Sequence, residues 1–142
     1  MKGSRLIGTW KFVSLTATKP RGEVIHPYGD KLFGMLVYTA NGYMSVLLMD
    51  PGRPRFTSDD PFGGTTEEVM EAYRAFDAYC GTYTVDADKG IVVHHLQGSR
   101  FPNWVGSDQV RHYRVSENKL SLTADIQVKG ENWYIEAVLQ RL

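Results

Sequence analysis

Over most of the chain, apolar and polar residues alternate in short runs separated by turn residues, the period-two signature of strands with one buried face. Leu120, Leu122 and Ala124 alternate with Ser121, Thr123 and Asp125, so the first set faces a core. Asn41-Gly42 between residues 32–39 and 43–49 is a strong hairpin signal, because Asn and Gly tolerate positive φ. With Thr39 opposite Tyr43, the interior row of that hairpin is Leu36, Tyr38, Met44, Val46 and Leu48. Two more hairpins follow: residues 81–86 and 91–97 around the turn at 87–90, then 108–115 and 120–125 around 116–119. Residues 133–141 form the last strand. The first strand is predicted over 6–18, with Trp10, Phe12 and Ser14 on one face and Lys11, Val13 and Leu15 on the other. A turn at 19–22 and a short strand at 23–26, ended by Pro27, come next.

The alternation breaks between residues 50 and 80. Pro51, Pro54 and Pro61, with three glycines, exclude regular sheet from 50–64, and a loop of that length is usually functional or mobile. Thr65 and Glu68 have the spacing of a capping box. Behind them Val69, Tyr73, Phe76 and Cys80 recur at steps of four, three and four, which predicts a helix over about 66–80 with one apolar face to bury. That helix suits a lid over a barrel mouth and a structural brace equally. The sum is an all-β fold: an antiparallel up-and-down barrel of eight or nine strands with one α-helix, in a single domain over 1–142. Trp10 in the first strand and Arg141 in the last supply a means of closure, since a guanidinium on an indole face is worth roughly 0.5–2 kcal/mol. The other reading makes Trp10 a plain core residue and Arg141 a frayed end.

Composition narrows the partners. Lys plus Arg equals Asp plus Glu at 16 each, and no basic stripe appears, so neither nucleic acid nor an anionic membrane is an expected partner. Met1-Lys2-Gly3-Ser4-Arg5 lacks the apolar stretch of a signal peptide, and no segment is as long as a membrane helix. Cys80 is the one cysteine, expected as a small buried hydrophobe, and an unpaired thiol favours a cytoplasmic location. Whether outward residues make a homodimer interface is left open.

An eight-stranded barrel encloses side chains or one small ligand, so the inward polar residues carry the chemistry. With Val115 opposite Leu120, Tyr113, Arg111 and Gln109 face inward while His112 and Arg114 face out. A buried arginine needs a carboxylate, a ring of carbonyls or a ligand oxygen. A register shifted by one residue would instead leave Arg111 solvated. Adjacent His94 and His95 point to opposite faces and make a poor bidentate metal site, and no carboxylate stands at ligand spacing, so no metal is expected. Pairing Val85 with Val92 turns His94 inward beside Tyr83, as a proton carrier near pH 7 or as a satisfied core residue. Phe101 and Trp104, with Arg100 and Asn103 between two glycines, either cap the core or line an entrance. No phosphate loop, nucleophile elbow or carboxylate pair appears.

Several of these stretches together resemble the small bacterial and fungal lipocalin-like domain family: Leu6–Lys11, Tyr38–Ser45, Gly81–Asp86, His94–Ser99, Phe101–Gly106 and Asp108–Arg111. The Gly8-Thr9-Trp10 opening and Arg141 near the end resemble the wider lipocalin signature. The resemblance implies a barrel with a central cavity; it implies no common catalytic motif, and similar barrels serve as carriers and as natural-product cyclases or isomerases.

Two functions follow as expectations, with a purely structural role, favoured by a closed barrel without a cavity, as a third. The first is a binding protein for one small, mostly hydrophobic molecule, needing no cofactor. Its ligand-binding residues would be Tyr38, Met44, Tyr83, His94, Arg100, Phe101, Trp104, Arg111 and Tyr113, and burial at about 25 cal/mol per Å² suffices for micromolar affinity. The second is a cofactor-independent isomerase, cyclase or dehydratase acting on a polyketide- or terpenoid-like substrate, with His94, Arg111, Tyr113 and Tyr83 as catalytic candidates.

Overall fold

A computed structural model describes residues 5–142, so the expectation placed on Met1–Ser4 lies outside the described residues. Among the described residues the chain forms nine strands: β1 (Gly8–Thr18), β2 (Val24–Ile25), β3 (Phe33–Tyr38), β4 (Tyr43–Met49), β5 (Phe76–Asp86), β6 (Ile91–Ser99), β7 (Asp108–Ser116), β8 (Lys119–Val128) and β9 (Glu131–Arg141). One helix, α1 (Thr66–Arg74), stands between β4 and β5. Every pairing is antiparallel, in the order β2-β1-β3-β4-β5-β6-β7-β8-β9, and β9 returns to pair with β1. Eight strands therefore close a barrel. β2 is the extra one, pairing with the end of β1 after β3 has paired with its beginning.

The seam between β1 and β9 joins the two ends of the chain. Trp10 lies opposite Arg141, whose guanidinium carbon sits 4.2 Å from the indole centroid. The same guanidinium donates to the carbonyls of Ile7 and Arg5 at 2.7 and 2.6 Å, and the Trp10 indole N–H donates to the Leu6 carbonyl at 2.9 Å. Gly8 makes room for this cluster. Its φ is +136°, and a Cβ there would stand 2.7 Å from an Arg141 nitrogen. Gly8→Ala is expected to lower stability by about 1–3 kcal/mol, read as a shift in the urea midpoint, because it meets both an unfavourable φ and a blocked space.

The interior row of the first hairpin is as expected, with Tyr38 opposite Met44, Leu36 opposite Val46, and all five residues buried. Four expectations are corrected. A bulge at Val13 shifts the pairing of β1, so Leu15 and Ala17 turn inward in place of Ser14, and the extra residue Val13 is left exposed. The helix ends at Arg74 instead of 80, and residues 76–80 join β5. The free edge of β4 requires a partner, and pairing it along Phe76–Thr82 satisfies more backbone groups than another helical turn would. Cys80 consequently faces outward and is exposed. The expected apolar face of the helix is not buried either: Val69 and Tyr73 remain exposed, and no α1 residue is buried. No helix among the described residues is long and apolar enough to cross a membrane.

Candidate functional site

The barrel is filled at one end and hollow at the other. Trp10, Tyr38, Met44, Leu120 and Leu139 pack the end that carries the Trp10–Arg141 pair. Beyond them the inward side chains shorten to Ala124 and Ala137, leaving a cavity of about 250 Å³. Its wall is mainly apolar, from Phe12, Leu36, Val46, Leu48, Ile126 and Ile135, with the rings of Tyr28, Trp104 and Trp133 also lining it. At roughly 30 Å³ per water this is the space of about eight waters, just under the usual size of a small-molecule pocket.

Four polar side chains on β5, β6 and β7 break the apolar wall: Asp77, Tyr79, His94 and Arg111. Each is placed by register. Leu48 and Val46 face inward on β4, so their partners Asp77 and Tyr79 on β5 do too. Val92 pairs with Arg111, and His94 with Tyr83, as the alternation predicts. His94 is 1% exposed; its Nε2 lies 2.6 Å from the Tyr38 hydroxyl and its Nδ1 3.0 Å from that of Tyr79. Burial above all, then the charges of Arg111 and neighbouring His95, hold its pKa down at about 3, so the ring is neutral. Burial also raises the pKa of Tyr38 and Tyr79 above the usual phenol value, keeping both protonated.

Arg111 donates to the Val110 carbonyl at 3.1 Å and the Gln109 amide oxygen at 3.4 Å. No carboxylate lies within 4.0 Å of it among the described residues. Its positive charge therefore enters the cavity wall without a partner at ion-pair distance. Asp77 takes a different cation: its carboxylate accepts from Arg100 Nε at 3.3 Å, while burial pushes its pKa up. Arg100 continues to the Tyr73 carbonyl at 3.2 Å and lies over the Tyr73 ring. Arg53 meanwhile donates to the Ala72 carbonyl. Both arginines thus anchor the last turn of α1, a favourable place for positive charge. The helix contributes no residue to the cavity wall.

Of the residues expected to bind ligand, His94, Trp104 and Arg111 reach the wall. The other six are held elsewhere. Tyr38 sits behind His94, Met44 fills the packed end, and Tyr83 stacks near Tyr38 while donating to the Thr39 carbonyl. Tyr113 packs against the core, Arg100 is taken up by Asp77 and Tyr73, and Phe101 supports Trp104 edge to face at 5.4 Å. Asp77, Tyr79, Tyr28 and Trp133 were not foreseen. The first two were hidden by the overlong helix, although the alternation Asp77, Tyr79, Gly81, Tyr83, Val85 is legible backwards from Val85. His95 is outside, bridging Thr84 and Asp108 at 3.0 and 2.7 Å. No cluster of three metal-ligating side chains occurs among the described residues.

Comparison with known proteins agrees with this geometry. The model of a lipocalin-like domain matches residues 7–141. A curated relative, the 4'-hydroxy-3'-methoxypropiophenone carrier protein of Aspergillus oryzae, is 33% identical over 86 residues, covering 56% of this chain and 78% of the relative.

Proposed function

The chain belongs to the lipocalin-like domain family, and from that premise we propose that residues 1–142 act as one domain carrying a single small, mostly hydrophobic molecule inside the barrel. The observation that carries this reading is the hollow half of the barrel: an apolar wall with a few polar groups gathered on β5, β6 and β7. Its volume suits a compound with one aromatic ring, and the relative is named for carrying an aryl ketone of that size. Burying about 250 Å² of apolar guest surface at about 25 cal/mol per Å² yields roughly 6 kcal/mol before association costs. Trp104 and Trp133 in the cavity wall would report its arrival by fluorescence. The lone cysteine, Cys80, fits a reducing compartment, and the cytoplasm is the proposed site of action.

Catalysis on the same guest has less support. An acid–base group works best with a pKa near the operating pH. His94, held neutral with both ring nitrogens engaged by tyrosines, is better suited to fixing hydroxyl groups than to shuttling protons.

Filling the hollow tests the proposal. Ala124 lines it and is buried. Ala124→Phe is expected to weaken binding of 4'-hydroxy-3'-methoxypropiophenone by about 100-fold or more, a loss of about 3 kcal/mol in calorimetric titration, while the far-ultraviolet spectrum stays that of the parent. Undiminished affinity in the folded variant would place the guest outside the barrel.

A further inference from the structure

Two tyrosines flank one buried histidine, and counting the hydrogens among the three leaves one over. A neutral imidazole donates from one nitrogen and accepts at the other. One tyrosine must therefore donate to His94 and the other accept from it. Tyr38 is 1% exposed, and its hydroxyl has His94 Nε2 as its hydrogen-bond partner among the described residues. Were Nε2 the protonated nitrogen, the Tyr38 hydroxyl hydrogen would be sealed in the core without an acceptor, which buried polar groups rarely tolerate. The arrangement without an orphan has Tyr38 donating to Nε2 and His94 Nδ1–H donating to the Tyr79 oxygen. The Tyr79 hydroxyl hydrogen then has no acceptor among the described residues, and Tyr79 lines the cavity. Arg111 lines the same cavity with no carboxylate at ion-pair distance among the described residues.

Resting on the carrier reading above, we infer that the cavity selects a guest bearing a carbonyl oxygen, which accepts from the Tyr79 hydroxyl beside the Arg111 guanidinium. Tyr38 is the positioning residue. It fixes the His94 tautomer and, through it, the direction in which Tyr79 donates. The apolar wall holds the guest's hydrocarbon body, and this relay reads its oxygen.

Propiophenone and n-propylbenzene differ only by a carbonyl in place of a methylene and serve as paired probes in fluorescence titration. Tyr79→Phe is expected to weaken propiophenone about tenfold, the worth of one hydrogen bond, and to leave n-propylbenzene within about twofold. Tyr38→Phe is expected to weaken the ketone selectively as well, although Tyr38 does not line the cavity. In the same variant, the ¹⁵N signals of His94 should change from a protonated Nδ1 to a mixture of tautomers. Equal losses for both probes, no loss for the ketone, or a parent His94 protonated at Nε2 would each overturn the relay while leaving the carrier reading in place. Failure of both probes to bind the parent protein would overturn the relay and the carrier reading together.

Discussion

Trp10→Ala is expected to lower the stability of the barrel by about 3–5 kcal/mol, the usual range for truncating a large buried aromatic. Trp10 is fully buried in the packed end of the barrel. Its loss removes the surface on which Arg141 rests, the indole donor to Leu6, and the filling between β1 and β9 where the sheet closes. Among the described residues, the Arg141 guanidinium would then keep its contacts to the carbonyls of Ile7 and Arg5. Since domains of this size are stable by roughly 5–15 kcal/mol, the variant should sit close to unfolding at room temperature. Urea denaturation followed by circular dichroism measures the difference. A loss below about 1 kcal/mol would mean that the β1–β9 hydrogen bonds close the barrel without help from the indole.

Acid should unfold the protein largely through His94. An unfolded histidine titrates near pH 6.5, whereas His94 in the folded chain has its pKa held at about 3. Between those values the unfolded chain binds a proton that the folded chain does not, so stability is full above about pH 6.5 and falls as the pH drops. At about 1.4 kcal/mol per pH unit, roughly 3 kcal/mol is lost by pH 4. Asp77 works the other way. Its folded pKa is raised, so acidification relieves the burial of its charge, but Arg100 beside it limits that gain. His94→Gln, which carries no titrating group, should have a flatter acid limb than the parent when the urea midpoint is followed from pH 7 to pH 4. Parallel limbs in the two proteins would assign the acid sensitivity elsewhere.

Period-two alternation makes most of the architecture legible in the sequence. It placed the Asn41-Gly42 hairpin in its register, turned His94 inward and His95 outward, set Arg111 on the inner face of β7, and paired Trp10 with Arg141. The hairpin readings each rest on a turn whose chemistry fixes which residues oppose one another, whereas the Trp10–Arg141 pairing rests on the inward faces of the first and last strands and on the attraction of a guanidinium to an indole. Where the chain departs from simple alternation, the reading went astray. The bulge at Val13 reverses the face of everything after it in β1, and no residue type there announces it. Residues 76–80 carry both a helical and a strand period, and the vacant edge of β4, a tertiary feature, decides between them. That one misassignment conceals Asp77 and Tyr79, two of the four polar groups that β5, β6 and β7 bring to the cavity. Which inward residues line the hollow and which fill the packed end was beyond the pattern, because it depends on side-chain volume along the barrel axis. Tyr38, Met44 and Tyr83 point inward as expected yet are spent on packing and on hydrogen bonds at the filled end.

The most direct measurement is a methyl ¹H–¹³C spectrum of the protein titrated with propiophenone. If the guest enters the barrel, the methyl signals of Leu36, Val46, Ile126 and Ile135 on the cavity wall shift and saturate together. Those of exposed Val13, Val110 and Leu142 stay in place. Saturable shifts confined to the outward methyls, or none at all up to the solubility of the ketone, would contradict a guest held within the barrel.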